Sequence, residues 1–558
     1  MTNGLQTLAP PETGAERAYD SDTLVAFDDV VGRGEVLDLA DVVIVGSGAA
    51  GATCARVLAE AGVSVILVEE GPLVRTSEMR ADVYTTMKRM WRQMGSQLAR
   101  GRAFIPLLQG RCVGGSTVIN SAIVHRLPER IHAIWAREYG LGEALPYERL
   151  ARIWDQIEKE LHIAPTDARI QGENNRLLEV AANALGFESH PTRRNVHHCR
   201  GSARCAQGCP NGAKQSMNLS YVPRALRHGA RIYATAKVER ILAEGGRATG
   251  VQARFVDPST GRRGPNLTVR ARHAVIVAAS ALQTPLLLAK SGIGRQSKLV
   301  GRRLQLHPAT AVVGIFDRPT KLWFGATQGF ETSQFLEEDM KIETVALPPE
   351  LAAVRLPALG PELVEQLASY GHLAQWGIEI RAKAHGTVKP GLFGFGPRYA
   401  WDAADEDVAI AKRGIATTCE MMFAAGARTV LPGVYAIPDA VSSMDEVRKL
   451  DELSDDPSRF HFIAAHHFGT AVMGLDPATS VVGPNGESHE LPGLYVADGS
   501  IFPTTIGVNP QHAICGLAWH VAERLAETIP ARARRPRMSI EDRRVGKAPS
   551  SSVPTIEA

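Results

Sequence analysis

The stretch Val42-Val43-Ile44-Val45-Gly46-Ser47-Gly48-Ala49-Ala50-Gly51 decides how this chain is read. Its first four residues form an unbroken apolar run, the pattern of a parallel strand buried on both faces. Glycines follow at the spacing G-x-G-x-x-G. Ala49–Ala61 then reads as a helix closed by Gly62, a residue that takes the left-handed cap conformation freely. Val63–Val68 is a second apolar strand, so about thirty residues predict one β–α–β unit. In that setting Gly46 permits the tight turn, Gly48 lets a pyrophosphate approach the backbone, and Gly51 lets helix and strand pack closely. The helix N-terminus offers free N–H groups and the positive end of its dipole to the phosphates. Glu69 closes the second strand, where a carboxylate accepts hydrogen bonds from a ribose hydroxyl. Glu70 is the adjacent carboxylate and is expected to point to the opposite side. The motif predicts a dinucleotide site without separating NAD from FAD.

Composition sets the outer limits. The chain has 558 residues, 44% hydrophobic and 22% charged, with a formal net charge of +3. Such a length predicts roughly two to four domains, and the composition excludes whole-chain disorder, collagen-like repeats and a small disulfide scaffold. No apolar run reaches the roughly 18–20 residues of a membrane helix, which predicts no integral membrane segment. Seven basic and three acidic residues fall in 531–558, so the rest of the chain is nearly neutral and a nucleic-acid partner is not expected. Seven cysteines, an odd number, and an N-terminus without a basic-then-apolar leader predict a cytoplasmic location.

Along the chain, residues 1–35 are polar and aperiodic and read as a disordered or extended arm. Residues 173–186 predict a helix with Leu177, Leu178, Ala181 and Leu185 on one face and Gly186 as its stop. Ala274–Ala279 reads as a buried strand and Thr284–Lys290 as a helix. The 311–460 region mixes strand-like stretches such as Gly377–Ala382 with helix-like ones such as Asp407–Ala424. A last helix is expected near Ala513–Glu527, ahead of a basic, disordered tail over 531–558.

Two further stretches carry a resemblance. In Gly110-Arg111-Cys112-Val113-Gly114-Gly115-Ser116-Thr117-Val118-Ile119-Asn120, paired glycines let the backbone run close to a flat ring, and Ser116 and Thr117 offer hydroxyls. The second runs from Ser280-Ala281 through Thr284-Pro285 to Ser291-Gly292-Ile293-Gly294. With these motifs the chain, from Asp41 to Pro530, resembles the glucose–methanol–choline (GMC) family of flavin oxidoreductases. Val124 and Leu127 depart from the pattern, standing where many members have an aromatic and a small residue.

The resemblance implies an α/β fold, α+β overall, in which a Rossmann-like FAD-binding domain is interleaved with a substrate-binding domain of antiparallel sheet plus helices. The FAD-binding part would take 36–130, 215–310 and 461–530, and the substrate-binding part 131–214 and 311–460. Arg111, Gly114, Gly115, Ser116, Asn120, Ser121 and Ala122 are implied to lie along or beside the isoalloxazine, and Val238 to meet adenine through its backbone. Ala279, Asp498, Gly499 and Pro510 complete the implied FAD set. Ile119 stands where covalently flavinylated relatives often carry His. Isoleucine has no nucleophile, so noncovalent FAD is expected.

The same resemblance extends to His466-His467-Phe468-Gly469-Thr470 and Ile506-Gly507-Val508-Asn509-Pro510. Its H-x-x-G-T spacing selects His466 as the base and leaves His467 and His512 as structural histidines. Oxidising an alcohol requires loss of the hydroxyl proton while hydride moves to flavin N5. Histidine suits the first task because its ordinary pKa is about 6.5. Asn509 can hold the same oxygen without titrating. The implied function is FAD-dependent oxidation of an alcohol, lipophilic or aromatic in the style of the Gly208–Tyr221 segment, to an aldehyde or ketone, with oxygen or another electron acceptor. The alternative is non-redox chemistry of the hydroxynitrile lyase or decarboxylase type. Cys199, Cys205 and Cys209, with His197 and His198 nearby, lack the C-x2-C spacing of zinc sites and are read as packed thiols or a local disulfide, with no metal. Trp323, Phe324, Met421 and Phe423 are read as core residues. Oligomeric state is not legible in the sequence.

Overall fold

The computed structural model describes residues 14–391 and 396–530. Two sheets organise it. The first has eight strands in the order Leu24–Val25, Arg231–Tyr233, Val65–Val68, Val36–Val45, Arg263–Val277, Arg247–Val256 and Ala236–Glu244, with Leu494–Val496 also paired to Arg263–Val277. The strands from Leu24–Val25 across to Arg263–Val277 run parallel, as does Leu494–Val496, and the last two turn back antiparallel. Strand Val36–Val45 begins half-exposed and then buries all of Ala40–Val45, as an unbroken apolar run must when both faces are covered. Helix Ala49–Glu60 lies against Gln511–Thr528, the last helix.

The second sheet is antiparallel with seven strands: Thr429–Leu431, Gln305–Ile315, Leu373–Ile380, Met340–Thr344, Phe330–Thr332 and Ser189–Pro191, with Ile463–Phe468 on the far half of Gln305–Ile315. Leu373–Ile380 is buried at every position because helices cover one face and the central cavity's wall lies on the other. Helix Asp405–Ala424 packs close at Gly414, where a Cβ would fall 2.6 Å from Ile378 Cγ2. Trp376, fully buried under this helix layer, contributes on the order of 2–3 kcal/mol of burial.

Several expectations change. Residues 14–35 are not an extended arm. Leu24–Val25 pairs with Arg231–Tyr233, and Tyr19 and Phe27 are buried in the first core. Val30 is buried beside them and Glu16 accepts from Thr76 N at 2.7 Å, so the segment is docked along its length. The tail over 531–558 lies outside the described residues. The second sheet takes Ile463–Phe468 from the segment assigned to the cofactor part, while its strand Ser189–Pro191 comes from the part assigned to the substrate. Helix Glu173–Leu185 ends at a left-handed Gly186 as expected, whereas strand Leu373–Ile380 starts four residues before its sequence-based position. Met421 is core, but Trp323 and Phe324 are about half-exposed. No helix among the described residues is long and apolar enough to cross a membrane.

Candidate active site

A cavity of about 1000 Å³ lies between the two sheets. Its first half is built by glycine. Gly46 sits at φ +96°, and a Cβ there would fall 2.4 Å from Ala278 O. A Cβ on Gly115, at φ +55°, would fall 2.8 Å from Gly48 Cα. Two loops thus meet backbone to backbone, and Gly114 N–H donates to Ser47 Oγ at 3.0 Å to join them. Helix Ala49–Glu60 starts at Gly48 with no side chain capping it, so its first-turn N–H groups are left for an anion from outside the chain. This uncapped helix start, in a cradle any Cβ would fill, fits the diphosphate of a dinucleotide.

Gly46, Ser47, Gly48, Ala49, Ala50, Glu69, Glu70, Gly115, Ser116, Asn120, Ser121, Val238, Ala279, Asp498, Gly499, Asn509, Pro510 and His466 all line the cavity. Four residues expected there do not. Gly51 packs the helix on the turn, a Cβ there falling 2.0 Å from Gly46 O. Gly114 abuts Asn218, Ala122 is buried at φ +64°, and the Arg111 main chain presses on Gly71. These four shape the wall from behind.

Glu69 accepts from Ser47 N (3.0 Å), Ser47 Oγ (2.7 Å) and Gly71 N (2.8 Å), so it braces the glycine turn. Glu70 also faces the cavity, contrary to the alternation rule, because the strand ends at Val68 and its periodicity stops there. Arg92 lies 2.7 Å and Lys237 3.3 Å from the Glu70 carboxylate. Burial alone would raise its pKa, but these cations outweigh it and hold the group down to about 2. Asp498 accepts from Ser280 N, Thr284 Oγ1 and Ser500 N and thereby fixes the Ser280 turn, at φ +86°.

The second half of the cavity depends on sheet register. Strand Gln305–Ile315 pairs antiparallel on both sides, setting His307 opposite His466 and Ala309 opposite Glu379. Glu379 Oε1 lies 2.7 Å from His307 Nδ1 and 3.1 Å from His466 Nδ1. His307 Nε2 receives N–H groups from Ile506 (3.2 Å) and Gly507 (3.0 Å), so it carries no proton. The His307 proton is therefore on Nδ1 and donated to Glu379. Burial lowers the His307 pKa to about 4, which keeps the ring neutral. Glu379 is fully enclosed, yet His466 and His307 overcome burial and hold it well below the usual carboxylate range. His467 is driven to about 3 by burial, then by His466, and turns its Nε2 to Ala464 O. Asn509 accepts from Lys341 Nζ, which stands on the same sheet as His466 and Glu379.

Residues 40–309 and 391–518 match the two halves of the family described as GMC oxidoreductase. This chain belongs to the GMC oxidoreductase family. It is 39% identical to an uncharacterised GMC-type oxidoreductase of Mycobacterium tuberculosis, over 88% of this chain and 76% of that one. It is 27% identical to the long-chain-alcohol oxidase FAO4A of Arabidopsis thaliana, over 88% of this chain and 69% of that one. Among solved structures it shares its fold with a pyridoxine 4-oxidase from Mesorbium loti, with TM-score 0.65 and 19% identity over 87% of this chain and 99% of that one.

GMC oxidoreductases are FAD-binding flavoproteins, and the glycine cradle is where this chain would hold the diphosphate. His307, Glu379, Lys341 and Arg92 were missed as site residues in the sequence. Glu379 and Lys341 sit in strands with no motif, and His307 joins Glu379 only through strand pairing. The cysteines are all free thiols. Cys205 Sγ lies 3.0 Å from Arg194 Nη2, and burial of this thiol is outweighed by Arg194 and Lys214, which lower its pKa. Fully buried Lys214 donates to Val118 O (2.6 Å), Asn120 O (2.7 Å) and Cys205 O (2.8 Å). The cysteine segment therefore buttresses the ring-side loop of the cavity.

Proposed function

We propose that this FAD-dependent oxidoreductase of alcohol-type donors oxidises a lipophilic alcohol to an aldehyde or ketone, with His466 as general base and Asn509 holding the reacting oxygen. The observation that carries the reading is the single Glu379 carboxylate shared by His307 and His466. Since His466 donates Nδ1–H to Glu379, its Nε2 is the free lone pair that accepts the hydroxyl proton. The imidazolium so formed sits against a buried carboxylate, which stabilises it as charge develops. Lys341 can only donate, so the Asn509 amide turns its oxygen to Lys341 and its Nδ2 hydrogens to the substrate oxygen. Bound FAD supplies the hydride acceptor, N5.

In this reading the eight-stranded sheet holds the cofactor and the seven-stranded sheet the substrate. Ile119 on the cavity wall offers no nucleophile, which supports noncovalent FAD. The free cysteines support a reducing, cytoplasmic compartment. The apolar wall formed by Val345, Leu347, Leu351, Ile378 and Ile463, and the long-chain-alcohol oxidase relative, support a lipophilic substrate. The test is anaerobic titration of the purified holoprotein with straight-chain and aromatic alcohols. Bleaching of the oxidised flavin band is expected, and a flavin left oxidised by every alcohol overturns the proposal.

A further inference from the structure

Arg355 ends a short turn, Ala353–Arg355, at the edge of the cavity, beside the exposed Val354. Its guanidinium sits at the cavity rim, beside Gly433 and His461. Nη2 donates to Ala311 O and Nη1 lies 3.5 Å from His461 O, so its protein partners are main-chain carbonyls. Among the described residues no carboxylate forms an ion pair with it. Gly433 makes room for the group, since a Cβ there would fall 2.8 Å from Nη2. Burial pulls the Arg355 pKa down to about 10, and no nearby anion opposes this. A half-buried guanidinium bonded only to carbonyls has its charge unmatched by the protein, and it lines the cavity that a substrate must enter.

The other charged groups on this wall are already matched. Glu343 is held by Lys341 at 2.6 Å and Glu379 by the two histidines. Between the reacting end and Arg355 the wall carries Ala309, Gly377, Val345 and Ile463, with Thr310 and Gln375 as polar groups among them. The separation follows from the strand. His307 stands beside His466, and Ala311, which Arg355 grips, is four residues further along. At about 3.4 Å per residue that is roughly 14 Å.

We infer that Arg355 is an anion-recognition site, and that the preferred substrate is an alcohol bearing a carboxylate at the far end of an apolar chain, an ω-hydroxy acid type. The inference rests on the alcohol-oxidising reading above and narrows its substrate class. With C–C bonds of about 1.5 Å in a zigzag, a chain of roughly ten carbons joins the two ends. The carboxylate lies along the guanidinium edge and the carbinol reaches His466 and Asn509.

The test compares 10-hydroxydecanoate with its neutral methyl ester on the holoenzyme. For the native chain kcat/KM is expected to favour the acid by on the order of tenfold to hundredfold, the worth of a charge-assisted hydrogen bond. Arg355→Gln should collapse that ratio through the KM of the acid, and Arg355→Lys should keep part of it. Binding of decanoate, which has no hydroxyl to oxidise, is followed independently by perturbation of the flavin spectrum. Decanoate bound equally by the native chain and Arg355→Gln overturns the anion site, whether or not alcohols turn over. Decanoate bound more tightly by the native chain supports it even if no alcohol reduces the flavin, a result that would sink only the alcohol reading.

Discussion

Lys341 donates to Asn509 Oδ1 from a position where it also lies 2.6 Å from Glu343 and 3.2 Å from Glu331. One buried ammonium thus fixes the amide of a candidate catalytic residue and pairs with two carboxylates behind it. Burial disfavours its charge, but Glu343 and Glu331 outweigh this and raise its pKa. Lys341→Met should leave Glu343 buried with only the neutral Gln328 amide as donor, while Glu331 keeps His125 at 3.1 Å, destabilising the holoprotein by about 3–5 kcal/mol. Denaturant unfolding measures this. A midpoint equal to that of the native chain would show that the acids do not depend on Lys341.

His466→Ala should retain FAD and slow flavin reduction by on the order of 10²–10⁴-fold, the usual worth of a positioned base. Rapid-mixing reduction under anaerobic conditions reads it directly. An unchanged rate removes His466 from the mechanism.

Glu379→Gln keeps the shape of the side chain and an acceptor oxygen but removes the charge that faces the imidazolium. Reduction is expected to slow on the order of tenfold to hundredfold with FAD content unaltered. If Gln matches Glu in rate, the carboxylate serves only to pack the two histidines.

Acid stability follows from His307. Its native pKa of about 4 lies below the ordinary 6.5, so between these values the unfolded chain binds a proton that the folded chain refuses. Stability from this group is complete above pH 6.5 and is lost as pH falls toward 4, by about 3 kcal/mol in all. His307→Gln can accept the Ile506 and Gly507 N–H groups and donate to Glu379 without titrating. Urea unfolding at pH 7 and pH 4.5 should show a smaller loss for this variant than for the native chain. Equal losses would mean that His307 is protonated in the fold.

Gly115→Ala should purify with less FAD, because the new methyl meets Gly48 Cα at 2.8 Å and the left-handed backbone disfavours any side chain. The flavin-to-protein absorbance ratio checks it, and a native ratio would show that the two loops can separate at little cost.

What was legible in the chain is local in origin. The glycine turn, the strand before it and the helix after it all follow from contacts among residues 42 to 68, and Gly186 stops its helix through its own backbone freedom. The spacing around His466 and Asn509 likewise sits within a few residues, so both could be singled out from the sequence. Glu70 marks the limit of such rules, since strand alternation ended two residues before it.

The sequence by itself therefore determined the dinucleotide turn, its flanking elements and the two motifs that bring His466 and Asn509 into view. Only the tertiary structure decided what stands beside them. Glu379 reaches His466 across 87 positions and Lys341 reaches Asn509 across 168, because antiparallel pairing and sheet-to-sheet packing brought them together. Arg355 is set apart by where the fold puts it, on the cavity wall against main-chain carbonyls. Strand register and burial are set by the whole core at once, and a single buried charge carries no local pattern that announces its partner.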